Sequence, residues 1–292
     1  MMSEYNVFGK KSYEFAVGAI KASSHGVISE EKLNRLKEAD LESAQKMLAE
    51  FGYPAVSEGK GVNSSIDGEL AAATAMIREL APDEELTNLL FFEQDALNLK
   101  MYLKAKLIGK PYEEIKPVNG GFAPEIIRAC VMTEDFSLMG EDIASALEGI
   151  ENETDPCKIS CIADRSMYSH VALTAKKKHC EPLEKLLEEY GKGKNRLTAM
   201  RMKKLGLNGE ENEFAFLPVD FSEFKAKDSA AEPVDIISDV AARMKSALNE
   251  LGFYDNMGAI AQYYFLKKNE AAALRLMFAQ KSLGVRKGGI EE

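Results

Sequence analysis

The chain has 292 residues, 46% of them hydrophobic, and 37 basic against 47 acidic residues give a net charge of −10. That is apolar matter enough for one large domain or two to three ordinary ones, and it excludes a disordered chain. The acid excess argues against a general nucleic-acid binder. No run of 18 apolar residues occurs, so no transmembrane segment is expected. The N-terminal MMSEYNVFGKKSYEF lacks the order of a signal peptide, and four cysteines in so long a chain make no disulfide framework, which fits a reducing cytosol.

Taken in order, residues 11–22 place Tyr13, Val17 and Ile20 at helical spacing. Ser29 before EEKLNRLKEA reads as an N-cap with acids in the first turn. Leu41, Ala44, Leu48 and Phe51 share a face of a helix that continues or restarts at Ala39, and Gly52 with Pro54 stops it. Residues 57–65 read as a loop by composition. Ile66, Leu70, Ala73, Ile77 and Leu80 form an amphipathic stripe. Pro82 and Asp83 then open a helix expected to run through Leu90 to Gly109. Pro111, Pro117 and the Gly120-Gly121 pair mark a boundary. Asp155 before Pro156 caps a long helix to about Lys178, and Pro182 kinks or restarts it toward Gly206. Residues 208–233 read as a linker with a short helix near Phe221. Helix resumes from Pro233 to Leu251 and again from Phe253 to Gly284. Alternating β-branched runs are missing, so the fold class expected is all-α.

Within this all-helical pattern one signature returns. Asp95, Asn98, Leu99, Leu103, Lys106 and Gly109 set a template; Glu270, Leu274, Phe278, Lys281 and Gly284 repeat it 175 residues on (270 − 95), with Ala273 in place of Asn98. A weaker copy, Asn195, Met200, Lys203 and Gly206, stands 97 residues on (195 − 98), with Lys192 where the others carry the acid. Leu99, Leu103 and Lys106 lie on one helix side, and each closing glycine suits a left-handed C-terminal residue. Basic residues crowd each last turn: Lys104, Lys106 and Lys110; Arg201, Lys203 and Lys204; Lys281, Arg286 and Lys287. Helix dipoles alone account for cations there, but not for a threefold recurrence, which points to a repeat protein. Three units follow, 1–120, 121–220 and 221–292. Asp95 and Glu270 are expected to meet a neighbouring helix or a partner. With Asn98, Lys106, Asn195, Arg201, Lys203, Arg275 and Lys281 they make up the candidate partner-binding set.

Candidates for chemistry are few. Cys157, Cys161, His179 and Cys180 could bind zinc only if a hairpin gathered them, since 22 residues of straight helix span about 33 Å; buried structural thiols are the simpler reading. Neither HExxH, CxxC, GxxxxGK[ST] nor GxGxxG occurs. The acid runs Asp83-Glu84-Glu85, Glu188-Glu189 and Glu210-Glu211 read as caps and solvated faces, and no catalytic residue, metal or cofactor is expected.

DALNLKMYLKAKLIG (95–109), NEAAALRLMFAQKSLG (269–284) and HGVISEEKLNRLKEADLESAQKMLAEFGY (25–53) together resemble the C subunit of the V-type (archaeal/bacterial type) ATPase, a relative of the vacuolar d subunit. The resemblance implies a funnel of three similar helical wedges about a pseudo-threefold axis, one copy per complex. It further implies a peripheral seat on the cytoplasmic face of the membrane proteolipid ring, where the protein receives the central-shaft subunits. Such a protein has no active site and needs no cofactor. A free-standing α-helical repeat adaptor is the alternative from another functional class, and a helical metalloenzyme built on Cys157, Cys161 and His179 is a third.

Overall fold

A computed structural model describes residues 11–56, 61–206, 231–252 and 256–283. Among them there are twelve α-helices, three short 3-10 turns and no strand, so the protein is all-α. The helices are α1 (Tyr13–Ala22), α2 (Glu30–Glu38), α3 (Leu41–Glu50), α4 (Val62–Leu80), α5 (Glu84–Leu89), α6 (Phe92–Leu107), α7 (Pro124–Thr133), α8 (Glu141–Ala146), α9 (Pro156–Lys177), α10 (Glu181–Leu205), α11 (Pro233–Leu251) and α12 (Met257–Ser282).

Local chemistry sets most boundaries. Ser12, Ser29, Asp40, Asp83, Asp155 and Asn256 each accept a backbone N–H in the first turn of the helix they precede, which satisfies donors that a helix start leaves orphaned. Gly109 and Gly206 take φ of +66° and +73° after the template helices. Gly284, Arg286, Lys287 and the short helix expected near Phe221 lie outside the described residues.

Two expectations are corrected. The helix expected from Asp83 to Gly109 is broken between α5 and α6. Leu89, Leu90, Phe91 and Phe92 are all buried, and four consecutive apolar side chains cannot share one face of a straight helix. The loop expected over 57–65 gives way to helix from Val62, where Gly61 stands at the N-cap. The stretch from Gly121 to Asp155, for which the sequence suggested no element, holds α7, α8 and two of the 3-10 turns.

The chain divides into two compact units, Met1–Pro82 with Leu251–Glu292, and Asp83–Glu250. In the first, α4 and α12 pack along each other, and Leu36, Leu48, Ile66, Leu274 and Phe278 form the core. In the second, α6 packs between α7 and α9, with Leu99, Ile127, Val131, Ile143 and Ala163 buried together.

Candidate functional site: a helix held at both ends

The template residues act on a neighbouring short helix. Asp95, 3% exposed, accepts the backbone N–H of Gly121 (2.9 Å) and of Phe122 (3.0 Å), just before α7 begins. Eleven positions on, Lys106 donates to the Val131 carbonyl (3.0 Å) and pairs with Glu134 (2.6 Å), at the end of α7. Between them Asn98 makes a two-way bond with the Val118 backbone, donating to its carbonyl at 2.7 Å and accepting from its N–H at 2.9 Å.

In the other unit the same positions do the same to α2. Glu270 accepts the N–H of Ile28, the residue before the N-cap, and Lys281 donates to the carbonyls of Lys37 (2.9 Å) and Ala39 at the helix end. Eleven residues of helix rise about 16 Å, which matches the 10 residues of α7 and the 9 of α2. A carboxylate therefore sits at the positive end of each short helix and an ammonium at its negative end, the arrangement that the helix dipole favours. The clasped helix runs parallel to the template helix in both cases.

Gly120 and Gly121 let the backbone come this close to Asp95. A Cβ on Gly120 would lie 1.9 Å from Asp95 Oδ1, and one on Gly121 2.5 Å from the Asn88 carbonyl oxygen. The pair is thus a packing requirement, where its composition had suggested only a break.

The family model described as the ATP synthase (C/AC39) subunit matches residues 16–235. The chain belongs to this family. Two relatives, from two strains of Thermus thermophilus and each named as the C subunit of a V-type ATP synthase, are 24% identical to it over 175 residues. That alignment takes in 56% of this chain and 54% of theirs, so the chain spans about half the length of the curated relatives it matches.

In this C/AC39 chain the remaining template positions fall into two groups. Asn195 is wholly buried in α10, and Lys192, in the acid's place, pairs with Glu188 and Glu189 of its own helix (2.6 and 3.1 Å). Arg201 and Lys203 are exposed. Arg275 turns outward and pairs with Asp67 at 2.5 Å.

One functional-looking cluster was missed. Lys267, 2% exposed, lies between Glu69 (2.9 Å) and Glu270 (2.8 Å) and over the Tyr53 ring at 5.0 Å. Tyr53 donates its hydroxyl to Glu270, Tyr263 donates to the His25 carbonyl (2.6 Å), and His25 Nδ1 stands 3.0 Å from Glu69. Burial first, then the nearby carboxylates, holds both tyrosine hydroxyls protonated well beyond the usual range. The sequence signal was the i,i+3 spacing of Lys267 and Glu270. The cluster offers fixed, mutually satisfied charges with the character of a structural tie.

The thiols do not converge. Cys157 and Cys161 stand near the start of α9, an unbroken 22-residue helix, and Cys180 lies beyond its end. Burial pushes the thiols of Cys130, Cys161 and Cys180 up. Among the described residues no group of histidine, cysteine or carboxylate side chains is arranged to hold a metal ion, and no helix is long and apolar enough to cross a membrane.

Proposed function

We propose that the chain is the non-catalytic rotor subunit of a V-type ATP synthase. It acts as a socket of three helical wedges, 1–120, 121–220 and 221–292, that couples the central shaft to the membrane proteolipid ring. One copy sits on the cytoplasmic face of the ring, without nucleic acid or cofactor, and passes torque during ATP-linked transport of protons or sodium.

The carrying observation is the repeated clasp inside a chain of the C/AC39 family. Template helix α6 holds the short helix that follows it, whereas template helix α12, at the C-terminal end, holds α2 near the N-terminus. A linear array of repeats would leave the last template without a successor. Here the first short helix takes that place. The clasps also give stiffness, since each short helix is fixed at both ends against sliding. We assign Arg201, Lys203 and Arg275, which point outward, to partner contact. Asp95, Asn98, Lys106, Asn195, Glu270 and Lys281 hold the wedges.

Reconstitution tests this. Proteoliposomes carrying the ring, supplied with the head, the shaft and the stator, are expected to pump ions on ATP only when the chain is added. ATP hydrolysis with equal pumping in its absence would overturn the reading.

A further inference from the structure

The connection that Asp95 and Asn98 hold carries a chemically labile pair. Of the two Asn-Gly pairs in the sequence, Asn119–Gly120 and Asn208–Gly209, the first lies among the described residues. It falls between the 3-10 turn at Tyr112–Glu114 and α7, outside any helix. Asn119 is exposed, and among the described residues no hydrogen bond holds its side chain. Its carboxamide can therefore fold back on the backbone of the next residue, where a glycine puts no side chain in the way.

Both flanks of the pair are fixed. Just before it, Val118 exchanges two bonds with the Asn98 side chain (2.7 and 2.9 Å). Just after it, Gly121 and Phe122 donate to Asp95 (2.9 and 3.0 Å). Gly120 is buried between these holds, and a Cβ there would stand 1.9 Å from Asp95 Oδ1. The clasp thus demands a glycine at 120, and with Asn119 before it that glycine completes the reactive pair.

The reaction is intramolecular. Gly120 N gives its proton to solvent hydroxide and attacks Asn119 Cγ; the N–Cγ bond forms, the Cγ–Nδ2 bond breaks, and Nδ2 takes a proton from water and leaves as ammonia. A five-membered succinimide remains. Water then adds to one of its two carbonyls. Cleavage of the new N–Cγ bond leaves aspartate on an unchanged backbone, whereas cleavage of the original peptide bond leaves an isoaspartyl linkage, with the main chain routed through Cβ and Cγ. No oxidant or reductant enters. Ring closure requires Gly120 N to turn toward Asn119 Cγ, and with Val118 and Gly121 both tied that rotation waits for a local opening. Return is then obstructed. The isoaspartyl route inserts one more C–C bond, about 1.5 Å, between Val118 and Gly121, and a 2.9 Å hydrogen bond lengthened by that much is lost.

We propose that Asn119–Gly120 is a deamidation site gated by the clasp: it reacts when Asp95 releases Gly121 and Phe122, and its isoaspartyl product keeps the N-terminal end of α7 from being held again. Water is the only co-reactant. Nothing in this depends on the rotor role.

The full chain, folded and in urea, is incubated in mildly alkaline buffer, and conversion at Asn119 is followed by peptide mass spectrometry, with isoaspartate counted by enzymatic methylation. Asn119 is expected to react at least about tenfold more slowly in the folded chain than in urea. Asp95→Ala should close most of that gap and Asp95→Asn part of it, circular dichroism having checked their folds. Folded wild type reacting as fast as the chain in urea, or folded Asp95 variants reacting no faster than wild type, would overturn the gating. For the product, wild type and Asn119→Gln, whose longer side chain closes a ring far more slowly, pass through the same incubation in urea and the same refolding, so that conversion at Asn208 is common to both. The Gly121 and Phe122 amides are then expected to exchange at least about tenfold faster in the isoaspartyl form of wild type than in Asn119→Gln. Equal protection would sink the claim that the product holds the clasp open. Asn119→Asp, made directly, carries the charge on a normal backbone. If it loosened those amides as much as the isoaspartyl form did, the added main-chain atom would not be the cause, and the proposal would fail.

Discussion

Replacing Asp95 by alanine tests the clasp at its buried N-terminal end. The carboxylate is 3% exposed and accepts two backbone N–H bonds, at 2.9 and 3.0 Å. Hydrogen bonds to a charged group are each worth about 1.5–3 kcal/mol, and their removal strands two donors that water reaches poorly. Allowing for relaxation of the 117–122 segment, Asp95→Ala should cost about 2–4 kcal/mol, and Asp95→Asn, which keeps one acceptor, about half of that. The loss is local, so native-state hydrogen exchange at Gly121 and Phe122 is the direct assay. At 1.4 kcal/mol per factor of ten, those amides should exchange about 30-fold to about 700-fold faster. Lys106→Met is the internal comparison. Its pair with Glu134 is 33% and 51% exposed and is worth no more than about 1 kcal/mol. If Lys106→Met opened the N-terminal end of α7 as much as Asp95→Ala did, or if Asp95→Ala left both amides protected, the clasp would not be what holds this helix.

The other predictions follow the same contacts. Gly121→Ala sets a Cβ 2.5 Å from the Asn88 carbonyl oxygen and 2.9 Å from Asp95, and should cost about 1–3 kcal/mol or more by urea unfolding, while Gly26→Ala, with nothing within 4 Å of its Cβ, stays near wild type. Lys267→Met leaves Glu69 and Glu270 buried without their cation and should cost about 3–5 kcal/mol; a loss under about 1 kcal/mol would show the carboxylates to be otherwise satisfied. Burial holds the Lys268 ammonium down at about 8, below its ordinary 10.5. The unfolded chain thus binds more protons there between pH 8 and 10.5, and stability rises with pH across that window by no more than about 3 kcal/mol. A wild-type rise in urea midpoint that Lys268→Met reproduces in full would assign it to other groups.

Legibility in the sequence followed range. Positions set by neighbours within a turn or two could be read: the caps at Ser29 and Asp155, the stripe from Ile66 to Ile77, and the left-handed glycines at 109 and 206. Harder was a stretch whose burial is two-sided, so that Leu89 to Phe92 looked like more helix and is a break. Asp95 and Glu270 stood out because they recur, yet their donors lie 26, 27 and 242 residues away on backbone N–H groups, which carry no residue-specific signal. Recurrence could therefore mark the positions without showing that their acceptors face inward. Lys267 was hidden differently. It has no counterpart in the first copy, where Phe92 holds the place, so comparing copies passed over it.

That difference bears on how the two clasps are secured. In the second unit α6 and α7 are joined by a short connection, and two backbone bonds at Asp95 with the Asn98 strap to Val118 suffice. In the first unit α12 must hold α2 across 242 residues of chain, with no covalent neighbour to limit their separation and Ala273 where the strap would be. Joining segments that distant costs more chain entropy than joining near ones, though the cost grows only slowly with length. The added Lys267–Glu69 tie, with Tyr53 and Tyr263 bonded into the same cluster, supplies contacts where the short connection is lacking. On this argument Lys267→Met should loosen α2 and the His25–Ile28 segment before it loosens α4. The same amides in α7 should be unaffected, which separates a lost tie from general destabilisation.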